Sequence, residues 1–265
     1  MFRATKIFLQ SFPLQVISWK IKCKVFQIKI TQLNKWQYYF KNKNGIEIGG
    51  PSGIFNVSGY LPLYNIAHSI DGVNFSNNTV WEGTLQEGNT YKYYNKTGYQ
   101  YIAEGDNLSN IANETNDFVL SCNNLEHMAN PLKAIFEWKR ILKKDGVMLL
   151  VLPNKEANFD HKRPYTSIEH LINDYNSKTT EEDTTHLNEI LKLHDLRRDP
   201  QAGSFDNFVT RCNNNIKNRC MHHHVFSQKL LKEMMQFCNL KVLRQNTTYT
   251  DHYLLATKNI EQSNL

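Results

Sequence analysis

The stretch from Asn116 to Pro153 constrains this chain more than any other. "NDFVLSCN" (116–123) reads as a strand running into a polar turn. A helix follows. Asn130 can cap it, and Pro131 stands at its first position, where a missing N–H costs nothing. Leu132, Ile135, Trp138 and Leu142 fall on one side, and Lys139, Arg140, Lys143 and Lys144 gather in the last turns, as the helix dipole favours. Asp145-Gly146 reads as the stop. "VMLLVLP" (147–153) is continuously apolar, the pattern of a strand buried on both faces. Strand, helix and buried strand in succession imply a parallel sheet covered by helices.

The same rhythm runs upstream. "GIEIG" leads into a turn of Gly49, Gly50 and Gly53, "SIDGVNFS" (69–76) is a second strand and "YQYIAEGD" (99–106) a third. Ligands on such sheets bind beyond the strand C-termini, near the point where strand order reverses. The glycine loop, Asn74, Asp106 and Ser121–Asn123 all fall at such ends. Downstream, "SQKLLKEMMQFCNL" is a helix capped by Ser227, and "KVLRQNTTY" with "DHYLLATK" can form a terminal strand pair. Residues 154–220 break the rhythm. They are polar, rich in His, Asp and Arg, and interrupted by Pro164 and Pro200, as a mostly helical lid would be. Four parts follow: a basic N-terminal extension (1–43), a cofactor-binding core (44–153), a polar lid (154–220) and a closing helix and strand pair (221–265).

Charge is unevenly placed. Residues 1–40 hold Arg3, Lys6, Lys20, Lys22, Lys24, Lys29 and Lys35 and no acid, although the net charge of the whole chain is only +6. The body is therefore near neutral, which weakens a nucleic-acid reading and leaves a basic arm. Leu14, Ile17, Ile21, Val25 and Ile28 fit a helical stripe there, while Lys20, Lys22 and Lys24 alternating with Ile21, Cys23 and Val25 fit a strand. The extension is taken as helical, either packed on the domain or lying at an anionic membrane or partner. Five scattered cysteines without a C-x-x-C imply reduced thiols and a cytoplasmic setting.

The order of pieces resembles a class I S-adenosylmethionine-dependent methyltransferase of the type-11 kind. "EIGGPSG" resembles the family's acidic-Gly-rich motif and "EGDNL" its third-strand acidic motif. "DFVLSCNNLEHMANPLKAIFEWKRILKKDGVMLLVLP" resembles the block from the fourth strand to the fifth, and "HHHVFSQKLLKEMMQFCNLKVL" the closing strand start and helix. The resemblance implies an α/β, Rossmann-like, seven-stranded sheet, mostly parallel with an antiparallel last strand. It also implies helices on both faces and a helical lid insertion. "FDHKRPYTSIEHLINDY" and "EEDTTHLNEILKLHDLRRDP" resemble a subgroup associated with glycan or cell-surface polysaccharide synthesis.

For the site, the resemblance implies S-adenosyl-L-methionine as cofactor. Glu47 would sit by its amino-acid end, with Gly49, Gly50 and Gly53 allowing close backbone approach. Asn74 stands where the family places an acid for the ribose, so that contact lacks charge assistance. Asp106 would accept from the adenine amino group, with Asn107 and Leu108 beside the ring, and Ser121 to Asn123 would line the reacting methyl. Pro51 departs from the motif. It removes a backbone donor, which matters less for a sulfonium cofactor than for a phosphate.

Methyl transfer needs alignment, and a base only for a hydroxyl or protonated amine. His127, His161 and His224 are the catalytic candidates. The lid's ionisable residues stand open between ordinary polar caps, an acceptor site and metal binding. No H-x-x-x-H spacing or Cys/His cluster supports zinc, so no metal is expected. The reading is methyl transfer to a small-molecule or glycan-linked acceptor, without nucleic acid. Residues 1–40 are available for contact with a membrane or a glycosyltransferase. A non-catalytic methyltransferase-like partner of a glycosyl-transfer complex is the alternative.

Overall fold

The computed structural model describes residues 11–258. Two helices, α1 (Leu14–Phe26) and α2 (Leu33–Gln37), precede β1 (Asn44–Ile48). Next come β2 (Ser69–Asn74), a small hairpin of β3 (Asn78–Thr79) and β4 (Gly83–Thr84), β5 (Gly88–Tyr93), β6 (Lys96–Ile102) and β7 (Asn116–Cys122). α3 (Pro131–Ile141) leads directly into β8 (Leu142–Pro153). The insertion carries α4 (Ile168–Ser177), α5 (Leu187–Leu193), α6 (Phe205–Asn213) and α7 (Asn215–Asn218). α8 (Gln228–Phe237), β9 (Leu240–Thr247) and β10 (Asp251–Lys258) close the core.

The main sheet has eight strands in the order β5-β6-β2-β1-β7-β8-β10-β9. β6, β2, β1, β7 and β8 run parallel, and β10 is antiparallel between β8 and β9. Strand order reverses between β1 and β7, so the crevice beyond their C-termini is where a ligand belongs.

Period-two alternation sends Ile46, Ile48, Val119, Leu150 and Leu152 to one face, against Leu132, Ile135 and Trp138 of α3 and Leu230, Leu231, Met234 and Met235 of α8. Asn130 starts α3 by accepting from Lys133 N at 3.1 Å, and Ser227 starts α8 by accepting from Leu230 N at 3.1 Å. The Trp138 indole donates to Gly105 O at 2.7 Å, which ties the loop after β6 to α3. The other face is covered differently. Phe118, Leu120, Leu149, Val151 and Leu255 meet Trp36 of α2, Phe40, and the irregular stretch holding Phe55, Leu61, Leu63 and Tyr64. Among the described residues that connection, from β1 to β2, contains only a single 3-10 turn, Gly53–Phe55.

Three elements differ from the sequence reading. The sheet has an eighth strand, β5, whose antiparallel hairpin with β6 places Tyr91 and Tyr93 in the aromatic core. α3 ends at Ile141, and Lys143 to Gly146 lie in β8, with Lys143 Nζ 2.8 Å from Asp117 Oδ1. β6 stops at Ile102, so Asp106 lies in the loop beyond it. The extension is helical where described, but it docks through Phe12 and Val16 against Ala157. Leu14, Ile21 and Val25 of the expected stripe face solvent, together with Phe26. Residues 1–10, with Arg3 and Lys6, and residues 259–265 lie outside the described part.

Candidate active site

β1 ends in Gly49, whose φ of +80° is a conformation side chains rarely take; a Cβ there would lie 2.6 Å from Asn124 Oδ1. Its N–H donates to Val73 O at 2.8 Å. At Gly50 a Cβ would meet Glu47 Cδ at 2.3 Å and the Tyr91 hydroxyl at 2.5 Å. Both glycines are therefore demanded by close approach, whereas a Cβ at Gly53 meets open space.

Glu47 is fully buried beneath this loop and does not line the crevice. Its Oε2 accepts from the Tyr64 and Tyr91 hydroxyls, each at 2.7 Å, and the Tyr64 oxygen in turn accepts from Ser52 N at 2.6 Å. Burial pushes the Glu47 carboxyl up, against these hydrogen bonds. In this structure Glu47 shapes the loop from below.

The crevice has two chambers that share Gly49, Trp81, Asn124 and His127. The first adds Asn74, Phe75, Ala103, Glu104 and Gly105 from the ends of β2 and β6, with Glu181 and Arg219 from the insertion. The second adds Pro51, Ser52, Gly53, Cys122, Asn123 and Asp251. Asn74 Nδ2 donates to Gly50 O at 3.1 Å, and its Oδ1 accepts from the Trp81 indole at 3.1 Å. That leaves the amide one N–H and one lone pair for a ligand.

Of the residues read from sequence, the crevice gathers Gly49, Gly53, Asn74, Cys122, Asn123 and His127. The rest lie elsewhere. Asp106 pairs with Lys133 of α3 at 2.9 Å, Asn107 is exposed, and Leu108 is core, its N–H donating to Glu137. Ser121 is buried and does not line either chamber, while Cys122 and Asn123 line the second. His161 sits 3.0 Å from Asp195 Oδ2 within the insertion. His224 is buried with Nε2 3.3 Å from Ala129 O.

The roof is an ionic network. Arg163 is 1% exposed, donates to Asp160, Glu189 and the carbonyls of His222 and His223, and so clamps the "HHH" run. His222 Nδ1 stands 2.5 Å from Asp160 Oδ2. Burial opposes the charge on Asp160, but His222 and Arg163 outweigh it and bring its carboxyl to about 2. The His127 ring meets His222 edge-on, and its Nδ1 lies 3.0 Å from Met221 O. A carbonyl partner makes that nitrogen the N–H donor and leaves Nε2 with its lone pair. Burial holds His127 well below the usual histidine range, so the ring is neutral at pH 7. Asp251, by contrast, is an acid pushed up by burial beside the second chamber.

Donor chemistry tests the fit of a sulfonium cofactor. The first chamber combines apolar Ile48, Val73, Trp81 and Met128 with amides and acids. Its one cation, Arg219, is matched by Glu104 at 2.6 Å and Glu181 at 2.7 Å. The loop offers close backbone approach at Gly49 and no lysine or arginine for a phosphate. These groups fit S-adenosylmethionine. Sequence reasoning passed over Trp81, Glu104, Asn124, Glu181, Arg219 and Asp251. Asn124 was signalled by its place after a strand end; Glu181 and Arg219 carried no local signal.

The strand order, with antiparallel β10 set inside β9 and the crevice at the β1–β7 switch, defines a Rossmann-like methyltransferase fold. Residues 56–150 match the family model Methyltransf_11, a methyltransferase domain. The match begins just after Gly53 and covers a little over a third of the chain. The protein carries a methyltransferase domain. No curated protein matches the sequence. Among solved structures, the chain is similar to the one bound to the Trm112 methyltransferase activator in a Haloferax volcanii complex (TM-score 0.48, 11% identity, 86% of this chain and 92% of that one). It is similar also to an S-adenosylmethionine-dependent methyltransferase from Aquifex aeolicus (0.42, 11%, 93% and 100%) and to one from Methanosarcina mazei (0.44, 14%, 88% and 100%). At these scores the likenesses carry none of the assignment.

Proposed function

We propose that the protein methylates a hydroxyl or amine of a small polar or glycan-linked acceptor held in the second chamber. The cofactor, when bound, supplies an activated methyl group on sulfur. The observation that carries the reading is the place of His127, which lines both chambers with a neutral ring and a free Nε2. The first chamber holds the nucleoside between Trp81, Asn74 and the Ala103–Gly105 backbone. Gly49 and Asn124 bound the passage between chambers, where the acceptor must align with the methyl group. His127 Nε2 takes the acceptor's proton, and Asp251, protonated more readily than an ordinary carboxyl, orients a polar acceptor. The polar lining of the second chamber, with Ser52, Asn123 and Asn124, supports a hydroxyl-bearing acceptor such as a sugar.

Titration calorimetry of the purified protein with S-adenosylmethionine is expected to show binding, weakened about tenfold in Asn74→Ala, a loss of about 1.4 kcal/mol. Absence of heat and of thermal shift at millimolar cofactor would refute the site. His127→Asn is expected to leave cofactor affinity unchanged. The same substitution should slow S-adenosylhomocysteine formation with sugar and amine acceptors about 100-fold or more. Equal turnover would remove His127 as the base.

A second reading concerns the extension. α1 leaves Leu14, Ile21, Val25 and Phe26 exposed among Lys22 and Lys24, which supports contact with an anionic membrane surface. No helix among the described residues is long and apolar enough to cross a membrane. Co-flotation with anionic but not neutral vesicles is the expected result, and equal recovery with both would reject it.

A further inference from the structure

Three separate segments bring His170, Asp174, His186 and His224 to one point. His170 and Asp174 are one turn apart on α4, His186 directly precedes α5, and His224 lies in the stretch before α8. One nitrogen or oxygen of each lies within 4.8 Å of the others. His170 Nε2 is 3.0 Å from His186 Nε2 and 3.3 Å from Asp174 Oδ2, which is 3.8 Å from His224 Nε2. A tetrahedral zinc ion, with bonds of about 2.0–2.1 Å, keeps its ligands about 3.3–3.4 Å apart. Three of the six distances between the groups thus lie within about 0.5 Å of that spacing, and all six are within 4.8 Å.

The surroundings suit a ligand set. Asp174 Oδ1 accepts from the Thr179 hydroxyl at 3.3 Å, which orients the carboxylate and leaves the buried Oδ2 without a hydrogen-bond donor. A His170–His186 hydrogen bond accounts for one pair of the four groups, and Asp174 Oδ2, 3.3 Å from His170 and 3.8 Å from His224, accepts no hydrogen bond from either. Closing on an ion takes His224 Nε2 from its long 3.3 Å contact with Ala129 O. The insertion also needs a staple. Its own core consists of Ile190, Ala202, Phe208, Cys212 and Met221 with a few half-buried neighbours. A core that small gains from a metal.

We propose that His170, Asp174, His186 and His224 bind one zinc ion that fastens the insertion to the methyltransferase core. Three imidazoles and one carboxylate in a tetrahedral arrangement select zinc over calcium or magnesium, which take oxygen ligands in larger shells. The site has no open position for catalysis and does not line the crevice. Its effect on the crevice is indirect. Glu181, which pairs with Arg219 there, lies in the segment held at both ends by Asp174 and His186.

The test uses the full chain. Mass-spectrometric metal analysis is expected to find about one zinc per chain, as a closed four-ligand site requires. Chelator-stripped protein should regain the ion on titration with Zn²⁺ alone, and with Co²⁺ should show the intense visible bands of a tetrahedral complex. His170→Ala and His186→Ala alter half-exposed residues. Each should weaken zinc binding more than about 100-fold, since even outer-shell changes cost about 10–100-fold. A folded wild-type chain that takes up no added Zn²⁺ would overturn the proposal. So would unchanged affinity in both variants, which would move the ion to Glu126, His127 and His222, the other convergent group. If the variants do not fold, weak octahedral cobalt bands in the wild type would overturn it, and tetrahedral bands would support it.

Discussion

The floor and the roof of the crevice are built in opposite ways. The floor is backbone and neutral side chains at strand ends: Gly49, Asn74, Gly105 and Asn124. Each ends its strand or lies within three residues of its end. The roof is a set of buried ionisable groups drawn from segments far apart: Asp160 is held by Arg163 and His222, Asp195 by His161 and Arg197, and Asp199 by His194 and Arg211. The floor is therefore rigid because the sheet is rigid. The roof is rigid only while its charges stay paired, since a buried charge without a partner costs more than the pair gains.

Arg163→Met should have the largest effect. It leaves Asp160 buried opposite His222 alone and should lower stability by about 3–5 kcal/mol, with proteolysis appearing first within 154–220. Denaturant unfolding and limited proteolysis measure both. Lys133→Met, which breaks the half-exposed pair with Asp106, should cost under about 1 kcal/mol. Similar losses in the two variants would erase the distinction between the buried charges of the roof and a half-exposed pair outside the crevice.

Acid titration sharpens the comparison. Burial raises the Asp199 carboxyl, but His194 and Arg211 outweigh burial and bring it down to about 2. A folded value below the ordinary 3.8 contributes stability that is full above pH 4 and is lost as pH falls toward 2. The contribution is on the order of 2 kcal/mol. Asp199→Asn should remove that part of the slope from the stability–pH curve, and an unchanged curve would show that the pairing stabilises nothing.

The floor is tested at its glycines. Gly49→Ala sets a side chain at φ +80° and against Asn124, and should cost about 1–2 kcal/mol, with weaker cofactor binding and an intact insertion. Gly53→Ala meets no atom and should change stability by less than about 0.5 kcal/mol. Thermal unfolding of the two side by side tests whether close approach, rather than glycine itself, is what the loop requires.

Much of the floor was legible because it follows from local pattern. Ile46 and Ile48 alternate, so β1 and the turn after it could be placed, and Asn130-Pro131 marked α3. Asn74 then fell at a strand end and His127 in the turn after β7. Other residues went astray where side-chain direction decides. Asp106 turns to Lys133, Leu108 enters the core, and Ser121 takes the face that Cys122 does not. β5 was hidden because Tyr91 and Tyr93, separated by Lys92, sit among polar residues; their burial depends on the aromatic core they join.

By itself the sequence determined the succession of β1, β2, β6, β7, α3, β8, α8, β9 and β10, the position of the glycine turn and the polar character of the insertion. Those depend on hydrophobic periodicity and on capping, which act within a few residues. The tertiary structure alone decided that Glu47 supports the loop from below, that Arg163 clamps the histidine run and that His170, Asp174, His186 and His224 meet. Such meetings depend on packing and charge pairing between segments distant in the chain, for which no spacing in the sequence exists.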